Sequence, residues 1–236
     1  MNPRISRRTL FAASPLALAS CASGGDYFGR AEPPRAQRLV FQIGAEPETL
    51  DPAMSQAGSE EFILPSLFEG LLTLHPSTNE VLAGIATHYH SDSTHTRFTF
   101  YLRGHRQPAG IRLAGAPIHS PPTRWSDGRA VTAHDFVYSW RRVVNPKTAA
   151  PMANLLYCIR NAEEVSMRRR PVEALAVWAI DDYTLHVEMR SSTAYFLQLH
   201  DNIVFYVVPG HVIERVGSSW TSPEHMVTSG PFQLTE

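Results

Sequence analysis

Residues 124 to 148 read RWSDGRAVTAHDFVYSWRRVVNPKT. Ser126-Asp127-Gly128 is a turn signal, because Ser and Asp bond nearby backbone and glycine tolerates positive φ. Thr132 has the character of a helix N-cap, and Asp135 three residues on can accept from its backbone N–H. Phe136, Trp140 and Val144 recur every four residues, which sets them on one helical face. Pro146 stops the pattern. The stretch therefore predicts a tight turn and then a capped amphipathic helix over 132–144, with Phe136 and Trp140 in a core.

Working outward, Leu39, Phe41 and Ile43 alternate with small or polar residues, and so do Phe98, Phe100 and Leu102. Leu185, Val187 and Met189 alternate with Thr184, His186 and Glu188. A period of two with one polar face predicts half-buried antiparallel strands. Helical spacing predicts helices near 60–68, 150–164, 193–200 and 209–216, the last ending at Gly217. Strands and helices mix without a regular βαβ repeat, so the fold class is mixed α/β of the α+β kind.

The chain has 236 residues, 43% hydrophobic and 18% charged, an ordinary globular composition. A net charge of −1 argues against nucleic acid as a partner. No window reaches the roughly 20 apolar residues that span a bilayer. Residues 1–21 read as a leader: Arg4, Arg7 and Arg8 precede the apolar stretch Leu10 to Ala19. Arg7-Arg8 fits a twin-arginine or an ordinary Sec signal. Leu18-Ala19-Ser20-Cys21 resembles a lipobox, which implies lipid at Cys21 and leaves Cys158 without a disulfide partner. Cys158 lies in an apolar run and is expected to be buried and inert. Residues 22–38, rich in Gly, Ser, Pro and charge, read as a tether.

The 124–148 run resembles the W-S-D-G-x-x-V-T-A-x-D-F-V-Y-S-W-x-R stretch of bacterial oligopeptide-binding proteins, the solute receptors of peptide ABC importers. The likeness continues in order along the chain. Glu46-Pro47 with Leu50-Asp51-Pro52 is similar to that family's E-P-x-x-L-D-P, and Leu67-Phe68-Glu69-Gly70-Leu71-Leu72 to its L-F-E-G-L-L. Ala179 to Leu185, Thr193 to Leu199 and Thr228-Ser229-Gly230-Pro231-Phe232 resemble further segments. The resemblance implies a type II periplasmic-binding-protein first lobe. Residues 39–68 and 209–236 would form part of a main domain, and 69–208 an inserted subdomain. It has no counterpart here for a second lobe, so a truncated or split receptor is expected, one that binds peptide weakly or not at all by itself. Twenty-one residues separate Arg103 from Trp125 where relatives have few, so 103–125 is expected to be a surface loop insertion.

No catalytic, dinucleotide or P-loop fingerprint is present, so neither an enzyme nor a cofactor is expected. His88, His90 and His95 with Asp92 raise a nickel or metal-complex reading, set against a solvated hairpin between Ala86 and Phe98. Arg168-Arg169-Arg170 reads as a solvated loop. The ligand reading comes through the resemblance: peptide is held in extended form, partly by the segment after L-D-P, here Gln56, Ala57, Gly58 and Ser59. Some relatives place a glutamate at the position of Gln56, where it helps hold the ligand's amino terminus, and a tyrosine at that of Met152. Neutral Gln56 replaces a charge-assisted bond poorly. The resemblance thus implies a periplasmic, lipid-anchored, peptide-binding component working with ABC permease subunits. The rival is an interaction lipoprotein that reuses the lobe without transport.

Overall fold

The computed structural model describes residues 44–56, 58–118 and 120–235. The leader, Cys21, the tether, the strand expected at 39–43 and Ala57 lie outside the described residues. In chain order the first elements are α1 (Glu60–Leu67), β1 (Leu72–Leu74) and β2 (Val81–Ala83). Then come β3 (Ala86–Ser91), β4 (Arg97–Leu102), β5 (Ile111–Arg112) and α2 (Ala133–Val144). The last are α3 (Ala162–Ser166), β6 (Val177–Asp181), β7 (Thr184–Glu188), α4 (Phe196–Leu199) and α5 (Gly210–Val216). Strands β1 and β2 pair as a small ribbon. The other five make one antiparallel sheet in the order β5-β3-β4-β7-β6.

The period-two pattern does what it predicts. Phe98, Phe100, Leu102, Leu185 and Val187 are all at most 1% exposed and form the inner face. Thr184 was expected on the polar face but is buried, and its hydroxyl donates to Asp181 Oδ2 at 2.9 Å. Burying a hydroxyl is tolerable once it is hydrogen-bonded. Helix α2 lies against β6 and β7. Its cap forms as read: the Thr132 N–H donates to Asp135 Oδ2 at 2.7 Å. Phe136 and Trp140 are fully buried, and the Trp140 Nε1–H donates to the Phe205 carbonyl at 3.1 Å.

The helix expected over 150–164 does not form as one piece. A 3₁₀ turn covers Ala153–Leu156, and α3 starts only at Ala162. Between them Ile159 bridges Met189, with Arg160 N–H donating to the Glu188 carbonyl and Arg190 N–H to the Cys158 carbonyl. Tertiary pairing at the sheet end overrides local helical spacing. Asn161 then takes a left-handed conformation, φ 69°, and donates to the Ala174 carbonyl. Cys158 is half-buried rather than buried, and burial pushes its thiol up to about 11. The helix at 193–200 shortens to Phe196–Leu199, and the expected loop at 103–125 is anchored by β5 and by buried Leu113.

Three motifs far apart in sequence close on one another. Ser229 and Gly230 N–H groups donate to the Leu67 carbonyl, and Phe232 N–H to that of Ser66. Ser126 N–H donates to the Thr228 carbonyl, and the Ser126 hydroxyl accepts from Thr228 N–H. The Glu69 N–H donates to the Ser229 hydroxyl across 160 positions of sequence. Gly230 is required at this seam, since a Cβ there would lie 2.6 Å from the Ser66 carbonyl oxygen.

Candidate functional site

The groove nearest the predicted ligand residues has a volume of about 650 Å³. One side is built from the turn after Leu50-Asp51-Pro52. Asp51 Oδ1 accepts from Ala53 N–H at 3.0 Å, and the Asp51 carbonyl from Met54 and Ser55 N–H groups. The Asp51 carboxylate also receives both arms of Arg142, at 2.9 and 2.5 Å. A bidentate guanidinium–carboxylate pair fixes both partners in orientation. Arg142 belongs to α2, so the helix that defines the core also pins the turn that delivers Ser55 and Gln56 to the groove.

The floor and opposite side come from Glu61 and Pro65 of α1, Thr73 and Leu74 of β1, Met152 and Leu155, and the run from Gln198 to Tyr206. Met152 is the N-cap of the Ala153–Leu156 turn, and Leu156 is buried beneath it. Asn202 Oδ1 accepts from Val204 N–H and starts the short turn Ile203–Phe205. Tyr206 follows, only 9% exposed. Its hydroxyl is pushed up to about 12, first by burial and then by the Asp201 and Glu69 charges. It is therefore a neutral hydroxyl in any ordinary buffer. Gly70 leaves room for its ring, with a Cβ there meeting Tyr206 at 3.1 Å.

Of the residues read from sequence, the structure brings Gln56 and Met152 to this groove and leaves Gly58 and Ser59 outside it. Gly58 has φ 95° and Ser59 is the N-cap residue of α1. Ala57 lies outside the described residues. Glu61, Asp201 and Tyr206 also line the groove, and none of them belongs to a motif of the sequence. The only sequence signal for Tyr206 is its place in the apolar run 203–208, which reads as core rather than as a groove.

Behind that run sits His200, fully buried among Phe100, Trp140, Phe196 and Phe205, with ring centroids 4.7–5.8 Å away. Its Nδ1–H donates to the Phe196 carbonyl at 3.0 Å, and Nε2 has no partner among the described residues. Burial lowers its pKa from 6.5 to about 4. The unfolded chain thus binds a proton that the folded chain refuses, and stability falls as pH drops from about 6.5 to about 4. The difference corresponds to about 3 kcal/mol. Urea midpoints across that window should fall with pH in the parent and much less in His200→Leu. Equal slopes in the two proteins would refute the assignment.

The histidines near 88–95 lie along a hairpin, where His88 Nδ1 is paired with the Thr87 hydroxyl. Both Asp92 carboxylate oxygens are occupied in the hairpin turn, accepting from Thr96 and Arg97 N–H groups and from the Thr94 and Thr96 hydroxyls. His95 Nδ1 is paired with the Ser91 hydroxyl. Among the described residues no three His, Cys, Asp or Glu side chains converge to hold an ion.

Known proteins place this geometry. A family model described as bacterial extracellular solute-binding proteins, family 5 Middle, matches residues 122–236. The chain is 33% identical over 239 residues to the periplasmic oligopeptide-binding protein OppA of Salmonella typhimurium, covering 98% of this chain and 40% of that protein. It is 33% identical to the periplasmic murein peptide-binding protein MppA of Escherichia coli, over 85% of this chain and 34% of that one. The structure of Haemophilus influenzae OppA in complex with RPPGFSPFR superposes with a TM-score of 0.72 at 31% identity, over 82% of this chain and 35% of the other. The chain thus spans about two fifths of the length of the first of these relatives. With its mixed α/β architecture and the motifs meeting in one seam, the chain belongs to the bacterial extracellular solute-binding proteins of family 5 and carries their type II periplasmic-binding-protein lobe.

Proposed function

We propose that the protein is a peptide-binding component of an ABC importer, working in the periplasm with permease subunits and held to the membrane by lipid at Cys21. The observation that carries this reading is the groove in which Gln56 and Met152 face the run 198–206. An extended peptide there would find a neutral tyrosyl hydroxyl, amide side chains, the Glu61 and Asp201 carboxylates, and apolar surface from Pro65, Leu74, Met152 and Leu155. These are groups that orient a main chain without demanding one side chain. The division into a main domain of 39–68 with 209–236 and an insert of 69–208 is supported by the hydrogen bonds joining Ser66–Leu67 to Ser229–Phe232.

Titrating a short peptide into the isotope-labelled chain should shift the amide signals of Ser55, Gln56, Met152 and Tyr206 first. Gln56→Glu should tighten a peptide with a free amino terminus about tenfold, because a charge-assisted bond is worth about 1–2 kcal/mol more than a neutral one. The N-acetylated peptide should bind both proteins alike. Shifts confined to other surfaces, or no discrimination between the two peptides by Gln56→Glu, would sink the proposal.

A further inference from the structure

A second depression, of about 750 Å³, lies away from the groove between the end of α2 and the end of α3. One rim carries Lys147, which follows α2, and the other carries Arg168, Arg169 and Arg170, which follow α3. All four are exposed. Among the described residues none of them has a carboxylate within ion-pair distance, although the whole chain has a net charge of −1. The nearby Glu163 carboxylate is engaged by Arg190 instead.

The arginine run is a fixed turn rather than a loose loop. Arg168 has φ 59°, a left-handed conformation that L side chains rarely adopt. Backbone bonds hold it there: Met167 N–H donates to the Glu163 carbonyl, Arg168 N–H to that of Val165, and Arg169 and Arg170 N–H groups to that of Glu164. Three consecutive guanidinium groups therefore project from a preset frame, with Lys147 facing them across Val165 and Val172. At the same turn Met167 is 46% exposed. An exposed apolar tip flanked by unpaired cations suits an interface where apolar and anionic groups lie side by side.

We infer that this turn docks the body on an anionic lipid surface, with Lys147, Arg168, Arg169 and Arg170 at the headgroups and Met167 entering between them. A bilayer satisfies both features, whereas an acidic polypeptide satisfies only the charge. Acylation is itself part of the proposed function, so the test removes it.

The full chain carrying Cys21→Ser is sedimented with vesicles of equal parts phosphatidylglycerol and phosphatidylcholine, and with vesicles of phosphatidylcholine alone. It should partition onto the first only, and the binding should vanish at about 1 M salt, where the screening length is about 3 Å. Each Arg→Gln change should weaken partition about fivefold, and Arg168→Gln/Arg169→Gln/Arg170→Gln about a hundredfold. Should the triple variant melt early, Lys147→Gln on the opposite rim should still lose about fivefold. Equal binding to neutral vesicles, no binding, wild-type partition of a folded variant, or capture by polyglutamate but not by vesicles would each overturn the inference.

Discussion

Trp140→Ala should lower the unfolding free energy by about 3–5 kcal/mol, the range for emptying a buried aromatic site. The indole is fully buried. It meets Phe136, Phe196 and Phe205 edge-on, at centroid distances of 6.3, 6.4 and 5.7 Å. Alanine would leave a void bordered by α2, α4 and the run that forms one side of the groove, and would strip the Phe205 carbonyl of its donor. Trp140→Phe keeps most of the packing and loses the indole N–H, so about 1–2 kcal/mol is expected. Urea unfolding followed by far-ultraviolet circular dichroism separates the two. A Trp140→Ala loss below about 1 kcal/mol would mean that the cluster collapses around the gap.

Asp51→Ala should cost a similar amount, about 3–5 kcal/mol, for a different reason. The Asp51 and Arg142 side chains are only 9% and 17% exposed. Removing the carboxylate leaves a guanidinium largely out of water with no counter-charge, and the Ala53 N–H without its acceptor. Replacing both partners removes the unpaired charge as well as the pair. Asp51→Ala/Arg142→Met should therefore be more stable than Asp51→Ala alone. The double variant should still bind peptide poorly, because the turn that carries Ser55 and Gln56 then keeps its main-chain bonds but is no longer pinned to α2. A single variant no less stable than the double would show that the pair is held too loosely to matter.

The two residues that make this pair lie in two motifs that the sequence presents 91 positions apart. Each motif was legible as local structure, a turn after Leu50-Asp51-Pro52 and a capped helix after Thr132. Their joining was not legible, because nothing in a periodic pattern says which exposed-looking arginine finds which aspartate. The central strands were readable for the opposite reason, since burial on one face writes itself directly into alternation at Phe98–Leu102 and Leu185–Val187. The helix expected at 150–164 failed where a non-local bridge from Ile159 to Met189 outweighed spacing. At the candidate site, Gln56 and Met152 were found only through resemblance. Tyr206 was hidden inside an apolar run, because a groove residue whose ring is buried looks like core until its hydroxyl is located.

The seam between Ser66–Leu67, Ser126 and Thr228–Phe232 sets an order of events for the growing chain. Bonds that join residues 160 apart repay their ordering entropy only when both ends are present. A nascent chain that has made α1 and the five-stranded sheet still lacks the residues that close α1 onto the body. The sheet can form during synthesis, but the body locks only after Phe232 has emerged, and until then Leu67 keeps a carbonyl waiting for its donors. Closure of this seam therefore requires residues made well after the sheet.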